Sequence, residues 1–107
     1  MTIPVKRRYP LSSAEKEKVL CRAIKEYGNR NQIIKLAEEM SELTQALCKF
    51  ISSPENPDIT NNVYEEIADV EIMLQQFKLM YPRSVDKIQN WKNTKIERLA
   101  LRLSEGK

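Results

Sequence analysis

The sequence contains no histidine. That absence removes the Ser-His and Cys-His nucleophile pairs, the Glu-x-x-His di-iron site and histidine-ligated zinc. Chemistry in this chain must run on carboxylates, amines, guanidinium groups and hard metals. Glycine occurs twice and tryptophan once, while 31% of residues are charged, a balance that favours helices over a sandwich of short strands. The two cysteines, Cys21 and Cys48, lack CxxC spacing and read as free thiols of a reducing cytoplasm. No apolar run approaches the roughly 18 residues of a membrane span, and MTIPVKRRYP has no apolar signal-peptide core. A soluble cytoplasmic protein with no membrane association is expected. With 18 basic against 15 acidic residues, the net charge of +3 is too small to argue for nucleic acid as a partner by bulk electrostatics.

What is present is helical periodicity. The 107 residues make one domain by length, with a core small enough that oligomerisation would help it. Residues 1–11, carrying Lys6, Arg7, Arg8 and two prolines, read as a basic arm, and residues 12–107 as a helical domain. Ser12 and Glu15 form a plausible capping box for a first helix to about Tyr27, ended by Gly28 and Asn29. A second helix is predicted from about Asn31 to Ile51, with Ile33, Leu36, Ala37, Met40, Leu43 and Leu47 at helical spacing. SPENPDIT, residues 53–60, reads as a reversing loop. The third helix should run from Thr60 or Asn61 to Met80, and the fourth from a Ser84 cap to about Ser104. The expected fold is all-α, a four-helix bundle. The third helix bears a stripe of Val63, Ile67, Val70, Leu74 and Phe77 and a narrower one of Ala68, Ile72 and Leu79. Two apolar sides suit either a partner subunit or a central place in one bundle.

Within the third helix, Glu66 falls among Val63, Val70 and Met73 at 100° per residue. A buried ionised carboxylate costs several kcal/mol unless a cation compensates it. The second helix carries Glu38, Glu39 and Glu42 in LAEEMSEL, and the third carries Glu65, Glu66 and Asp69 in EEIAD. Glu39 with Glu42, and Glu66 with Asp69, are matched pairs one turn apart. Antiparallel helices would bring the pairs face to face, where they repel unless they share a proton or a cation. Oxygen ligands without histidine or cysteine favour Mg²⁺, with Mn²⁺ as a substitute, over zinc. Acidic residues on helices are more commonly solvated surface charges, a description that suits Glu38, Glu65 and Glu71 better than Glu66.

The ExxE and ExxD pair, set in QIIKLAEEMSELTQALCKF and NVYEEIADVEIMLQQFKLM, resembles the signature of the MazG-like all-α nucleoside triphosphate pyrophosphohydrolases, a superfamily that includes the dimeric dUTPases. Similarity is greatest to the short single-domain members of bacteria and their phages, over about residues 30–103. The resemblance implies a Mg²⁺-dependent hydrolase that cleaves a nucleoside triphosphate to the monophosphate and pyrophosphate, as a homodimer or homotetramer. It implies Glu39, Glu42, Glu66 and Asp69 as metal ligands. Glu38 or the metal-ligating Glu39 would orient the attacking water or take its proton. Lys95 and Arg98, from KIERL beside Trp91, would hold phosphates; the alternative for each is a snorkelling cation on a solvated face. Asn31 and Gln32 would meet the base or sugar, unless Asn31 is a plain helix cap, and Trp91 would stack on the base unless it belongs to the core. There is no room for the extra helices with which the larger dUTPases enclose uracil, so a broad nucleotide-cleansing role is expected. The competing reading is a non-catalytic helical accessory protein that binds a nucleotide or, through KRR, a nucleic acid.

Overall fold

A computed structural model describes residues 10–106. These contain four α-helices and no strand: α1 (Ser13–Tyr27), α2 (Asn29–Ser52), α3 (Pro57–Met80) and α4 (Ser84–Ser104). Among the described residues no helix is long and apolar enough to cross a membrane. Most of the expected basic arm lies outside the described residues.

The local chemistry explains each boundary. The Ser12 hydroxyl accepts from Glu15 N–H while Ser12 N–H donates to the Glu15 carboxylate, the reciprocal cap read from the sequence. Between α1 and α2 stands a single residue, Gly28, at φ 90° and ψ 150°. Only glycine adopts that conformation without strain, so the joint needs no further loop and α2 begins two residues earlier than expected. The α3 start also moves forward. Asn56 Oδ1 accepts from the N–H groups of Asp58 and Ile59, and Pro57 occupies the first turn, where its missing N–H costs nothing. SPENPDIT is thus a short loop followed by a helix start. Ser84 is not the cap of α4: it is the first helical residue, Arg83 precedes it without a side-chain cap, and the Ser84 hydroxyl is buried without a partner.

α2 and α3 form an antiparallel hairpin that holds the core, with Ala46, Val63, Val70 and Met73 buried. α1 leans on both. Its Leu11 approach, Val19 and Leu20 line a 180 Å³ cavity with Ile72 and Gln75 of α3, so the second apolar stripe of α3 is used in part by α1 of the same chain. α4 stands at the margin of the bundle, and none of its residues is buried.

The result is an open molecule. Its radius of gyration is 17.7 Å, against about 13 Å for a compact domain of this length. Its accessible surface is 9164 Å², against roughly 6,200 Å² for a compact monomer of its mass. On α2 the residues Ile33, Leu36, Met40, Leu43, Leu47 and Phe50 alternate in steps of three and four. Leu36, Leu43 and Phe50 are half-buried, whereas Ile33, Met40 and Leu47 are exposed. Ile67 and Leu74 of α3 are exposed as well, as are Val85, Ile96, Leu99 and Leu103 of α4.

Candidate metal centre

The hairpin brings acidic side chains together from both helices. Gln32 of α2 donates to Gln76 of α3, and the antiparallel register set by that pair carries Glu39 to the level of Asp69 and Glu42 to the level of Glu66. Glu39, Glu42 and Glu66 each place an oxygen within 4.8 Å of the others. Glu39 is buried at 7% exposure, Glu66 is half-buried and Glu42 is exposed, so the group has a sealed floor and an open rim.

Two oxygens on that floor, Glu39 Oε1 and Glu66 Oε1, are sealed from solvent without a hydrogen-bond partner. Burial pushes the Glu66 carboxyl above its ordinary pKa, and the charges of Glu42, Asp69, Glu39 and Glu65 push it further the same way. Glu39 has a partial counter-charge: Lys35 Nζ lies 3.2 Å from Glu39 Oε2, one turn earlier on α2. The Glu39 carboxylate, by hydrogen bond and then by charge, holds the Lys35 ammonium above its ordinary pKa. Among the described residues no ion pair serves Glu66.

The donor set is three carboxylates and no nitrogen or sulfur, which fits a hard divalent ion such as Mg²⁺ or Mn²⁺. Leaving buried oxygens bare costs the desolvation of each group, so these two call for a shared proton, a water or a cation. Asp69 is exposed and stands outside the three-carboxylate group, though near enough for its charge to act on Glu66. Glu38 is exposed on the flank of α2 and is also outside the group.

The other expected site residues are dispersed. Asn31 Nδ2 donates to the Tyr27 carbonyl at 2.8 Å, closing the end of α1. Gln32 is buried, and its Nε2 donates to Gln76 Oε1 at 2.6 Å. Trp91 is exposed, with Lys95 Nζ 5.8 Å from its ring centroid, and Arg98 follows on the same side of α4. Since α4 stands off the hairpin, Trp91, Lys95 and Arg98 are not brought to the carboxylates within one chain. Two residues escaped the sequence reading. Lys35 had a visible signal in its four-residue spacing from Glu39, and Gln76 had none beyond its place on the edge of the α3 stripe.

Comparison with family models, with curated proteins and with solved structures finds no significant match to this chain.

Proposed function

We propose that this chain is a Mg²⁺-dependent nucleoside triphosphate pyrophosphohydrolase of the MazG-like type, acting on a broad range of nucleotides. The observation that carries this reading is the meeting of Glu39, Glu42 and Glu66 across the α2–α3 hairpin, with two of their oxygens buried and unpartnered. A triphosphate carries about four negative charges and can approach an acidic cluster only through intervening cations. When bound, the metal would neutralise phosphoryl oxygens and lower the pKa of the attacking water.

The protein's own part follows from burial. Glu39 and Glu66 would hold the ion from the buried floor and Glu42 from the exposed rim, with Asp69, at the level of Glu39 but outside that group, as the fourth proposed ligand. Glu38, exposed and outside the group, or Glu39 within it would orient water or accept its proton. Lys35, half-exposed at the rim, is free to turn from Glu39 to a phosphate once the carboxylate has a cation of its own. Lys95, Arg98 and Trp91 serve substrate only if α4 is brought in by assembly.

Assembly is part of the proposal. The uncovered stripe of Ile33, Met40 and Leu47 lies on the flank of α2 away from Glu42, and α4 presents an uncovered apolar face of similar length. A second copy of the chain would cover both at once, as a homodimer or homotetramer.

An accessory nucleic-acid-binding role draws on one observation, the exposed run of Trp91, Lys95, Arg98 and Arg102 along one side of α4. The two readings separate in one experiment: canonical and modified nucleoside triphosphates are incubated with the protein and Mg²⁺ and scored for pyrophosphate. Release that stops with chelator supports the hydrolase. Its absence, together with salt-sensitive binding to DNA or RNA, supports the alternative.

A further inference from the structure

The Gln32–Gln76 pair is an unusual thing to bury. Both side chains are largely covered, at 8% and 4% exposure, and they bridge α2 to α3 through a 2.6 Å amide–amide hydrogen bond. Each primary amide offers one carbonyl and two N–H groups, so the bond leaves Gln32 with a free carbonyl oxygen and Gln76 with a free amino group. Among the described residues the sealed, partnerless side-chain polar atoms are those of Glu39, Glu66 and Ser84. The free ends of both glutamines are not among them and so keep a small exposed area.

Their position relates them to the carboxylates. Gln32 precedes Glu39 by seven residues and Gln76 follows Asp69 by seven, so each amide is two turns along the same side of its helix. That step is about 10 Å, the reach of a sugar between a phosphate and the far edge of its base. Resting on the function proposed above, we infer that Gln32 and Gln76 together read the nucleobase edge of the substrate, and that their amide pair is what keeps base acceptance broad.

The chemistry of the pair sets the specificity. With Gln32 donating inward, the outward groups are an acceptor on Gln32 and a donor on Gln76. If both amides turn over, the bond reverses and the outward groups exchange roles. In either state the pair shows one donor beside one acceptor. Uracil, thymine, cytosine, adenine and guanine all carry a neighbouring donor and acceptor on the pairing edge, in one order or the other. A reversible amide pair accepts all five and rejects none, which is the recognition a broad nucleotide hydrolase needs.

Glutamate in place of either glutamine removes that freedom. In Gln76→Glu the carboxylate takes the inward bond from Gln32 Nε2, leaving two acceptors side by side. Guanine alone presents two adjacent donors, its N1–H and exocyclic amine. Dissociation constants of α,β-methylene analogues of the five nucleoside triphosphates, measured with Mg²⁺ at pH 8, test this directly. The wild-type protein should bind all five within about tenfold. Gln76→Glu and Gln32→Glu should each favour the guanine analogue over the other four by at least about tenfold, since an unmatched polar contact costs about that much. A pair that merely fixes helix register would change stability and leave the base ranking as in the wild type, and that result would overturn the inference. If the wild type binds none of the analogues, the hydrolase reading itself fails and takes this one with it.

Discussion

Lys35 Nζ lies 3.2 Å from Glu39 Oε2 on the same face of α2, while Oε1 of the same carboxylate is sealed and has no partner. One ammonium therefore answers half of one buried acid and none of its neighbour Glu66. Lys35 and a bound cation compete for Glu39. Lys35→Met should tighten Mg²⁺ binding several-fold in isothermal titration, and its effect on metal-free stability should be small because the lysine is half-exposed. Weaker Mg²⁺ binding would instead show that the lysine supports the ion and does not compete with it.

Glu66 gives a pH dependence with a definite sign. Its pKa is raised in the folded state, so within the window between the ordinary glutamate value and the raised value the folded protein binds more protons than the unfolded chain. Stability of the metal-free protein should fall as pH rises through that window, and remain lower above it. Glu66→Gln should raise the metal-free melting temperature at neutral pH, and the difference should vanish below the ordinary glutamate pKa. Thermal melts of both proteins from pH 4 to pH 8, in chelator, check this.

The same substitution separates stability from activity. Glu66→Gln should lower Mg²⁺-dependent pyrophosphate release on the order of 10²-fold or more, the loss expected when a metal ligand is removed. Circular dichroism should show unchanged helix content. A variant as active as the wild type would remove Glu66 from the site.

How far this site was legible in the sequence depends on the residue. Glu66 could be singled out because Val63, Val70 and Met73 surround it at helical spacing, and all three are buried in the structure. The start of α3 was less legible, because Pro57 reads as a breaker until Asn56 is recognised as its cap. Periodicity showed that α4 has an apolar face, but an apolar face does not name what covers it, and the standing-off of α4 from the hairpin follows from tertiary contacts alone. Gln76 was invisible for a related reason: a polar residue on the flank of an apolar stripe reads as solvated until its partner on another helix is known.

Gly28 joins α1 to α2 at a positive φ, and a Cβ there would meet nothing within 4 Å. Any cost of Gly28→Ala is thus backbone strain, about 1–3 kcal/mol for a residue forced into this glycine region. Urea denaturation should show a lower midpoint with an unchanged slope. An unchanged midpoint would mean that the joint relaxes into another conformation.

The uncovered α2 stripe predicts assembly through a second copy. Met40→Lys, with Leu47→Lys as an independent second variant, should shift sedimentation toward the monomer while helix content is kept. Wild-type protein that sediments as a monomer across the micromolar range would contradict the proposed assembly and leave the carboxylate cluster untouched.

Whether α2 and α3 converge on a site that takes a hard divalent ion is read out by diffraction from crystals grown with Mn²⁺. An anomalous peak should appear bounded by the carboxylates of Glu39, Glu42 and Glu66. Ordered crystals at saturating Mn²⁺ with no peak there, or with those three side chains turned apart, would contradict it.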